Sequence, residues 1–263
     1  MPELPEVETV VRSVSRHVVG SRILHVELSS ERVTRGGFQK TAESLTGARI
    51  RGVRRRGKQI FFDLDHGILY VHLGMTGKLL WNGARSKFTR ALLHLEEGTL
   101  MYDDIRQFGR VEYFDSVPEF LDRAGPDALS IGFEEFYSRL KRRSGSIKTL
   151  LLNQTFISGV GNIYADEALF AARIHPRASA RRISPKRARD LYDRTLEVLH
   201  AAIAHKGSSI SDYVDTAGNR GNFQQLHCVY GREGQPCVRC GTLIRRIVLG
   251  QRGTHYCPRC QRP

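Results

Sequence analysis

The sequence lacks long apolar runs and has few acidic residues relative to basic ones. None of its 263 residues lies in a run near the roughly 20 apolar residues of a membrane-spanning helix. Its first residues also lack the basic start and apolar stretch of a secretion signal. We therefore expect a cytosolic protein with reduced thiols. Acidic residues number 27 against 41 basic ones, so a polyanion is the expected partner and a membrane surface the weaker alternative.

Nucleotide-binding fingerprints are also absent. The segment Gly159-Val160-Gly161-Asn162 precedes a predicted helix, but it has neither GxGxxG spacing after a strand nor a Walker lysine. Free N–H groups at a helix start attract anions, and Asn162 adds a side-chain donor. A nucleic-acid phosphate is therefore a better candidate ligand here than a nucleotide.

Cysteine is scarce, but its spacing is informative. Cys237 and Cys240 form one Cys-x-x-Cys pair, and Cys257 and Cys260 form a second pair sixteen residues later. In a reducing compartment this spacing predicts one structural Zn²⁺ rather than disulfides. The intervening GTLIRRIVLGQRGTHY can form a hairpin that joins the pairs. Cys228 has no partner at such spacing and is expected to be a buried free thiol.

Hydrophobic periodicity divides the chain into two parts. Valines at helical spacing predict an amphipathic helix from about Pro5 to Val18. From Ser21 to about Phe114 the pattern has period two, with turn signals such as DHG and EG, and predicts a mostly antiparallel β-sandwich or barrel. The sequence GPD that begins at Gly125 is the expected connection between domains.

Helical signals follow in FEEFYSRLKRR, SIKTLLLNQ, NIYADEALFAAR and SPKRARDLYDRTLEVLHAAIAHKG. The last segment has a Ser184 cap, Pro185 at the first helical position and Gly207 at its end. The polar segment GSSISDYVDTAGNRGNFQQ comes next, and a loop this long in a compact domain is more often a functional flap than filler. We therefore predict an α+β fold in which an N-terminal helix and β-sandwich precede a helical domain and a zinc hairpin.

Basic residues are concentrated in two clusters that are expected to neutralise phosphates without reading sequence. Solvated faces of strands or helices are the alternative interpretation. The clusters comprise Arg49, Arg51, Arg54, Arg55, Arg56 and Lys58, and then Lys141, Arg142, Arg143 and Lys148.

The segment DIRQFG is a candidate wedge for a base stack. It places Arg106 and Phe108 two residues apart, hence on one side of an extended chain. An aromatic wedge beside a cation can enter a base stack and occupy a vacated space. Packing in the core is the alternative, and Met75 in HLGMTG has the same two interpretations.

The opening MPELPEVETV contains the most reactive candidate. If Met1 is removed, Pro2 becomes a secondary amine, and its attack on a sugar C1′ gives a cationic iminium from which elimination can proceed. Glu3 beside it can shuttle protons to the departing base or the sugar. A plain helix start explains Glu6 and Glu8 through the helix dipole, but it does not explain Pro2.

Taken together, the motifs resemble the bacterial formamidopyrimidine-DNA glycosylases. The segments MPELPEVETV, RRGKQI, HLGMTGKL, DIRQFGR, GVGNIYADEALF and VLGQRGTHYCPRCQ occur in the order of that family and cover the whole chain. The resemblance implies a repair enzyme that excises 8-oxoguanine and formamidopyrimidines from double-stranded DNA and then nicks the abasic site by β,δ-elimination. A monomer is expected, because it suits a two-domain clamp on a duplex. It implies a catalytic domain (1–125), a domain with a helix-two-turn-helix motif and a lesion-capping loop (126–226), and a zinc finger (227–263).

The resemblance also implies catalytic roles. Pro2 matches the Schiff-base nucleophile of the family and Glu3 matches the proton donor for base loss. Lys58 matches a lysine with a role in β-elimination. Arg252 matches the arginine that grips the phosphates at the lesion and serves δ-elimination.

The residues implied in DNA binding are Met75, Arg90, Arg106, Phe108, Lys148 and Asn162. Met75, Arg106 and Phe108 match the group that fills the gap left by a flipped nucleotide, which this chemistry requires. Lys148 and Asn162 match phosphate contacts. Arg90 stands in a segment, KFTR, where many relatives carry histidine, so it is the expected substitute. The loop 208–223 resembles the one that closes over the everted base.

Two alternatives stay open at this point. An endonuclease VIII-type enzyme shares Pro2, Glu3 and the zinc hairpin but prefers oxidised pyrimidines. Leu4, the gap-filling group and the long flap favour the purine enzyme. A zinc-ribbon nucleic-acid-binding protein without catalysis is the alternative from another class.

Overall fold

The computed structural model describes residues 1–35 and 37–262, which fall into two compact units. The first comprises Met1–Asp122 with His205–Gln224, and the second comprises Arg123–Ala204 with the chain from Gln225 on. The predicted loop 208–223 thus belongs entirely to the first unit. The predicted three-part division, with boundaries after residues 125 and 226, stays a prediction.

The first unit begins with helix α1 (Leu4–Val18), as predicted. Pro5 is tolerated in its first turn because the first N–H groups of a helix have no intrahelical partner. Its core-facing side consists of buried valines at helical spacing. These are Val7, Val10, Val11, Val14 and Val18.

Eight strands form a β-sandwich in this unit. They are β1 (Ile23–Leu28), β2 (Ile50–Arg56), β3 (Gln59–Leu64), β4 (Ile68–His72), β5 (Lys78–Trp81), β6 (Thr89–Leu95), β7 (Gly98–Asp103) and β8 (Arg110–Phe114). Two four-stranded sheets have the orders β1-β6-β7-β5 and β2-β3-β4-β8, and every pairing is antiparallel. The inner faces of both sheets and α1 share one core. In β3, for example, Ile60 and Phe62 face this core, whereas Phe61 packs in a separate cluster on the other face.

Two short helices interrupt the strand region, which the period-two pattern did not predict. They are α2 (Glu31–Thr34) and α3 (Phe38–Leu45), between β1 and β2. In α3 only Thr41 and Leu45 are buried, one helical turn apart. Two buried positions are too few to give a clear helical period, so the sequence pattern did not reveal these two helices.

The four helices predicted for the second unit are present. They are α4 (Phe133–Lys141), α5 (Ile147–Leu152), α6 (Asn162–Ala171) and α7 (Pro185–Ala204). Ser146 caps α5 by accepting a hydrogen bond from Thr149 N, and Pro185 begins α7 as expected. Helix α6 is buried on nearly all sides, so it forms the centre of this unit.

The predicted hairpin consists of β9 (Arg245–Leu249) and β10 (Arg252–Tyr256), paired antiparallel. Its two-residue turn, Gly250 and Gln251, has positive φ at both positions (54° and 61°), as a type I′ turn requires. Across the described residues no helix is both long and apolar enough to span a membrane.

Candidate active site and nucleic-acid interface

Pro2 and Glu3 immediately precede α1, and both side chains are buried. The backbone N–H of Glu3 donates to Glu6 Oε2 at 2.7 Å, which is half of a capping box. The two candidate reactive residues are therefore fixed to the first helical turn. The partial positive charge of the helix N-terminus lies beside them.

Glu6 connects this N-terminal segment to the loop 205–224. Its carboxylate is 1% exposed, and Oε1 accepts the backbone N–H of Ser208 at 2.7 Å. Gly207 precedes that contact with φ of +78°, and a Cβ at this position would lie 2.6 Å from Glu6 Oε1. Sequence analysis read Glu6 only as a dipole-compensating acid. The structure shows it as the buried anchor of the loop proposed to cover the lesion.

Lys58 lies in the turn between β2 and β3 and is 8% exposed. Its positive charge acts on His72, at the end of β4. Burial, followed by the charges of Lys58, Arg110 and Arg35, lowers the pKa of His72 to about 4. Gly74 N donates to His72 Nδ1 at 3.1 Å, which leaves the N–H on Nε2. A neutral imidazole donor beside a lysine suits an oxyanion ligand, and sequence analysis did not single out His72.

The lowered pKa of His72 predicts a pH dependence of stability. An unfolded histidine titrates near 6.5, so between about pH 6.5 and 4 the unfolded chain binds the extra proton. Titration of His72 therefore leaves the free energy of unfolding unchanged above about pH 6.5, and it lowers this free energy as the pH falls from 6.5 towards 4. The thermal midpoint of the unmodified chain should therefore fall more steeply over this range than that of His72→Gln.

His227 in the second unit also has a pKa lowered to about 4, by burial. Both proteins contain His227, so the contribution of His72 is given by the difference between their two curves of thermal midpoint against pH. Parallel profiles for His72→Gln and the unmodified chain would contradict the assignment.

At least three of the six residues of the first basic cluster have partners inside the first unit. Arg54 pairs with Asp63 at 2.9 Å, and Arg55 pairs with Glu8 at 2.8 Å. Arg49 donates to Gly20 O. These contacts attach β2 to its surroundings, which is a structural role that phosphate binding does not require.

A buried carboxylate, Asp104, organises the candidate wedge. Its Oδ1 accepts Thr76 Oγ1 at 2.6 Å and the N–H of Arg106 at 3.2 Å. Its Oδ2 accepts Gly109 N at 2.9 Å and the hydroxyl of Tyr102 at 3.2 Å. Asp104 is 0% exposed. It therefore joins the loop that carries Met75 to the loop that carries Arg106 and Phe108, a role that sequence analysis missed.

The three wedge candidates project from this network. Met75 is 38% exposed and Phe108 is 55% exposed, although both are large and apolar. The guanidinium of Arg106 lies 4.6 Å from the centre of the Phe108 ring. Core packing is therefore excluded for all three. Arg90 is half-buried and donates to Asp104 O at 3.0 Å, so it supports the network from behind.

In the second unit, Asn162 and Arg252 are brought together. Asn162 is the first residue of α6, and its Nδ2 donates to Gly253 O at 2.9 Å, next to Arg252. Its Oδ1 is buried and has no partner among residues 1–35 and 37–262. Arg252 itself is exposed at the start of β10. A helix start and an exposed guanidinium on one surface form a suitable site for a phosphate.

Lys148 is fully buried, in contrast to what a direct phosphate contact suggests. Its Nζ lies 2.5 Å from Asp166 Oδ1 and 3.0 Å from Asn162 O. Asp166 Oδ2 in turn accepts the N–H of His255 in β10 at 2.9 Å. Lys148 thus links α5, α6 and the hairpin, and it would have to leave Asp166 to reach a phosphate. Its predicted phosphate contact stays a prediction.

The buried pair makes Asp166→Asn a destabilising change. Removing the partner of a fully buried ammonium leaves an uncompensated charge, which typically costs about 3–5 kcal/mol. We expect a lower thermal midpoint and faster amide exchange at His255 N. Asp190→Asn is a matched control, since Asp190 pairs with Arg194 at the surface, where a bridge contributes about 1 kcal/mol or less. Equal effects of the two substitutions would exclude this role for Asp166.

The four predicted metal ligands converge. The Sγ atoms of Cys237, Cys240, Cys257 and Cys260 all lie within 4.8 Å of one another. Two of the separations are 3.9 Å, from Cys237 to Cys260, and 3.5 Å, from Cys240 to Cys257. A tetrahedron with Zn–S bonds of about 2.3 Å has S–S edges of about 3.8 Å. Four thiolates at this spacing therefore fit one zinc ion.

Glu167 anchors the chain that leads into the zinc ligands. Its carboxylate accepts three successive backbone N–H groups, from Cys228, Val229 and Tyr230, at 2.8–3.0 Å. Because Glu167 belongs to the central helix α6, it holds the zinc element against the core of the second unit. Its role is structural.

Comparison with known proteins agrees with this geometry. Residues 1–111 match the formamidopyrimidine-DNA glycosylase N-terminal domain, residues 124–214 match the H2TH domain of the same enzyme, and residues 234–263 match a zinc finger found in FPG and IleRS. A formamidopyrimidine-DNA glycosylase of Solibacter usitatus is 53% identical over the full length of both chains. The chain belongs to the formamidopyrimidine-DNA glycosylase family.

Solved structures of the family superpose over the whole chain. A variant of the Lactococcus lactis enzyme, in complex with DNA that contains Fapy-dG, has a TM-score of 0.93 at 37% identity and covers 100% of both chains. MutM in complex with DNA that contains carbocyclic 8-oxo-G has a TM-score of 0.92, also at 37% identity and full coverage. Family membership confirms the predicted α+β fold with its helix-two-turn-helix motif and the structural zinc. It also confirms the predicted enzyme class, DNA glycosylase with abasic-site lyase activity.

Proposed function

We propose that this enzyme excises oxidised purines, namely 8-oxoguanine and formamidopyrimidines, from double-stranded DNA and then nicks the strand by β,δ-elimination. The observation that carries the proposal is the placement of Pro2 and Glu3, buried at the start of α1 and connected through Glu6 to the loop 205–224. Family structures in complex with Fapy-dG and 8-oxo-G DNA support the substrate class. We further propose that the enzyme acts as a monomer.

The proposed chemistry starts at the nitrogen of Pro2, freed by removal of Met1. This nitrogen attacks C1′, the bond from C1′ to the base breaks, and Glu3 delivers the proton that the departing base or the sugar ring needs. The positive end of α1 disfavours protonation of a nearby amine and so favours the nucleophilic form. The product is an iminium between Pro2 and the opened sugar.

The iminium then acts as an electron sink. Loss of a C2′ proton breaks the C3′–O bond, a second elimination breaks the C5′–O bond, and water releases the remaining sugar fragment from Pro2. Each elimination expels a phosphate, so cations near the leaving groups accelerate it. We assign Lys58, supported by neutral His72, and Arg252, supported by Asn162, to this role.

The projecting group of the first unit serves base eversion. Met75, Arg106 and Phe108 are held together by Asp104 and are exposed, which suits insertion into the gap that an everted nucleotide leaves. We propose that Arg90 contributes to DNA binding next to them. Asn162 is assigned to a phosphate, and Lys148 to positioning Asn162 through its carbonyl oxygen.

Cleavage of a defined set of duplexes tests the substrate assignment. One duplex contains 8-oxoguanine opposite cytosine, a second contains thymine glycol opposite adenine, and a third is undamaged. We expect single-turnover cleavage to be fastest for 8-oxoguanine. Faster cleavage of thymine glycol would overturn the purine assignment in favour of an endonuclease VIII-type specificity.

A further inference from the structure

A second concentration of positive charge surrounds the zinc ligands, at the other end of the hairpin from Arg252. An open cavity of about 560 Å³ lies there, and its lining contains no acidic residue among those described. The lining residues are Arg173, Arg239, Cys240, Arg259, Cys260 and Arg262. Arg259 falls within the motif VLGQRGTHYCPRCQ, but the proposed chemistry uses none of these four arginines.

The fold brings these four arginines close to one another. Each Cys-x-x-Cys turn carries an arginine at its third position, Arg239 in CVRC and Arg259 in CPRC. Arg239 donates to Phe170 O at 2.8 Å and stacks on the Phe170 ring at 4.3 Å, which fixes it at the end of α6. A backbone bridge from Ile174 to Arg262 brings Arg262 beside the segment that begins with Arg173.

Three of these guanidiniums are available to an external anion. Arg173, Arg259 and Arg262 are exposed, and within residues 1–35 and 37–262 their side chains form no hydrogen bond or ion pair. Arg194, another exposed arginine of this unit, pairs with Glu197. Exposed arginines such as Arg142 and Arg181 lie elsewhere on this unit, so what distinguishes the three is that they line one cavity together.

The zinc site does not cancel this charge. A zinc ion with four thiolates carries a formal charge of about −2, whereas four guanidiniums contribute about +4. The cavity thus keeps about two positive charges in excess. Guanidinium forks match phosphate oxygens in pairs, which makes a phosphate a better ligand than chloride or a single carboxylate.

The basic surface continues beyond the cavity, which favours a repeating anion over an isolated one. Arg187, on α7, donates to Arg262 O at 3.3 Å. Arg177 lies close enough to His175 that, after burial, its charge lowers the pKa of that imidazole. The backbone N–H of His175 donates to Arg262 O at 3.3 Å, so His175 and the neighbouring Arg177 lie next to the cavity. Six arginines in one area resemble a track for a sugar-phosphate backbone.

We propose that this arginine cavity is a second nucleic-acid site, which holds the phosphate backbone of a DNA segment other than the one bound at the hairpin tip. The five residues of β10 separate the tip from the cavity by about 17 Å. The inference rests on DNA being the partner in the proposed function. Its consequence is that the enzyme can engage a second duplex before it releases the first.

Direct transfer between duplexes tests this inference without requiring catalysis. The full-length zinc-loaded enzyme is preloaded on a fluorescent undamaged 20-base-pair duplex, and its release is followed while unlabelled duplex is increased. A second site makes the release rate rise with competitor concentration. The triple variant Arg173→Gln, Arg259→Gln and Arg262→Gln should reduce that slope about five-fold or more, because phosphate contacts dominate such binding.

Matched controls separate this site from general charge loss. Arg16→Gln, Arg32→Gln and Arg123→Gln remove three exposed arginines elsewhere and should leave the slope within about two-fold of its original value. Zinc content is measured for both triple variants, and equal zinc shows that the finger is intact. An unchanged slope in the cavity variant overturns the proposal.

Two further outcomes are decisive. If polyglutamate of matched charge accelerates release through the cavity arginines and duplex does not, the site takes an acidic protein and the DNA assignment is wrong. Single-turnover cleavage of the 8-oxoguanine duplex should be unchanged in the cavity variant. Failure of the proposed function would show instead as absent cleavage in every form of the enzyme, with transfer between duplexes intact.

Discussion

Replacing Pro2 with glycine is expected to lower the yield of protein–DNA adduct trapped by borohydride, and the rate of strand cleavage, about 100-fold or more. The proline nitrogen is a secondary amine, so its adduct with C1′ is a permanently cationic iminium. A glycine amine gives an imine that must be protonated to become an equal electron sink, and it loses the ring that fixes the nitrogen. The measurement is adduct formation with an 8-oxoguanine duplex, separated by denaturing gel.

The control for this substitution is Pro5→Ala, which changes the neighbouring proline inside α1 but leaves the amine intact. Its adduct should persist. A form that retains Met1 should bind DNA and form no adduct, because the Pro2 nitrogen is then an amide without nucleophilic character. Equal trapping by Pro2→Gly and by the unmodified, correctly processed chain would exclude Pro2 as the nucleophile.

Replacing Cys257 with alanine is expected to remove the zinc and unfold the hairpin that carries Arg252. Structural zinc contributes about 10–16 kcal/mol in zinc-finger peptides, which is comparable to the whole stability of a domain. Cys257 is fully buried, so the variant also loses core packing next to Phe170 and Ile244. DNA binding and cleavage should fall together, and amide exchange in β9 and β10 should accelerate.

Cys228→Ser is the matched control for the zinc site. Cys228 lies outside the tetrathiolate cluster, and burial raises the pKa of its thiol to about 11, so it is an unreactive thiol at neutral pH. This variant should keep one zinc per chain and its activity. If Cys257→Ala retained a full equivalent of zinc and a protected hairpin, the structural role assigned to the metal would be wrong.

Local sequence signals predicted the elements that are determined by local physics. Helix α1 was predicted by valines at a 3.6-residue period, and α7 was predicted by Ser184 and Pro185 at its start. The hairpin follows from two Cys-x-x-Cys pairs at fixed spacing. In each case the residues that specify the element are its own neighbours in the chain.

The candidate site was predicted less completely, because several of its supporting contacts join distant segments. Glu6 and Ser208 are 202 residues apart, and Lys148 and Asp166 are on different helices. Asp104 looks in the sequence like one acid in a turn, but four donors from three segments converge on its carboxylate. Periodicity and motif spacing contain no information about such partners.

The sequence by itself determined the chemistry that is available to this protein. A proline and a glutamate stand at the start of a helix, four thiols have zinc spacing, and a large excess of positive charge suits a DNA partner. Residue type and spacing along the chain are enough for these conclusions, since reactivity and charge belong to the residues themselves.

Only the tertiary structure decided which functional side chains are exposed to a ligand and which support other residues from the interior. It exposed Met75, Arg106 and Phe108, buried Lys148 in an ion pair, and gathered unpaired arginines around the zinc ligands. Burial and charge pairing depend on which segments pack together, and packing is settled by the whole core rather than by any local stretch of sequence.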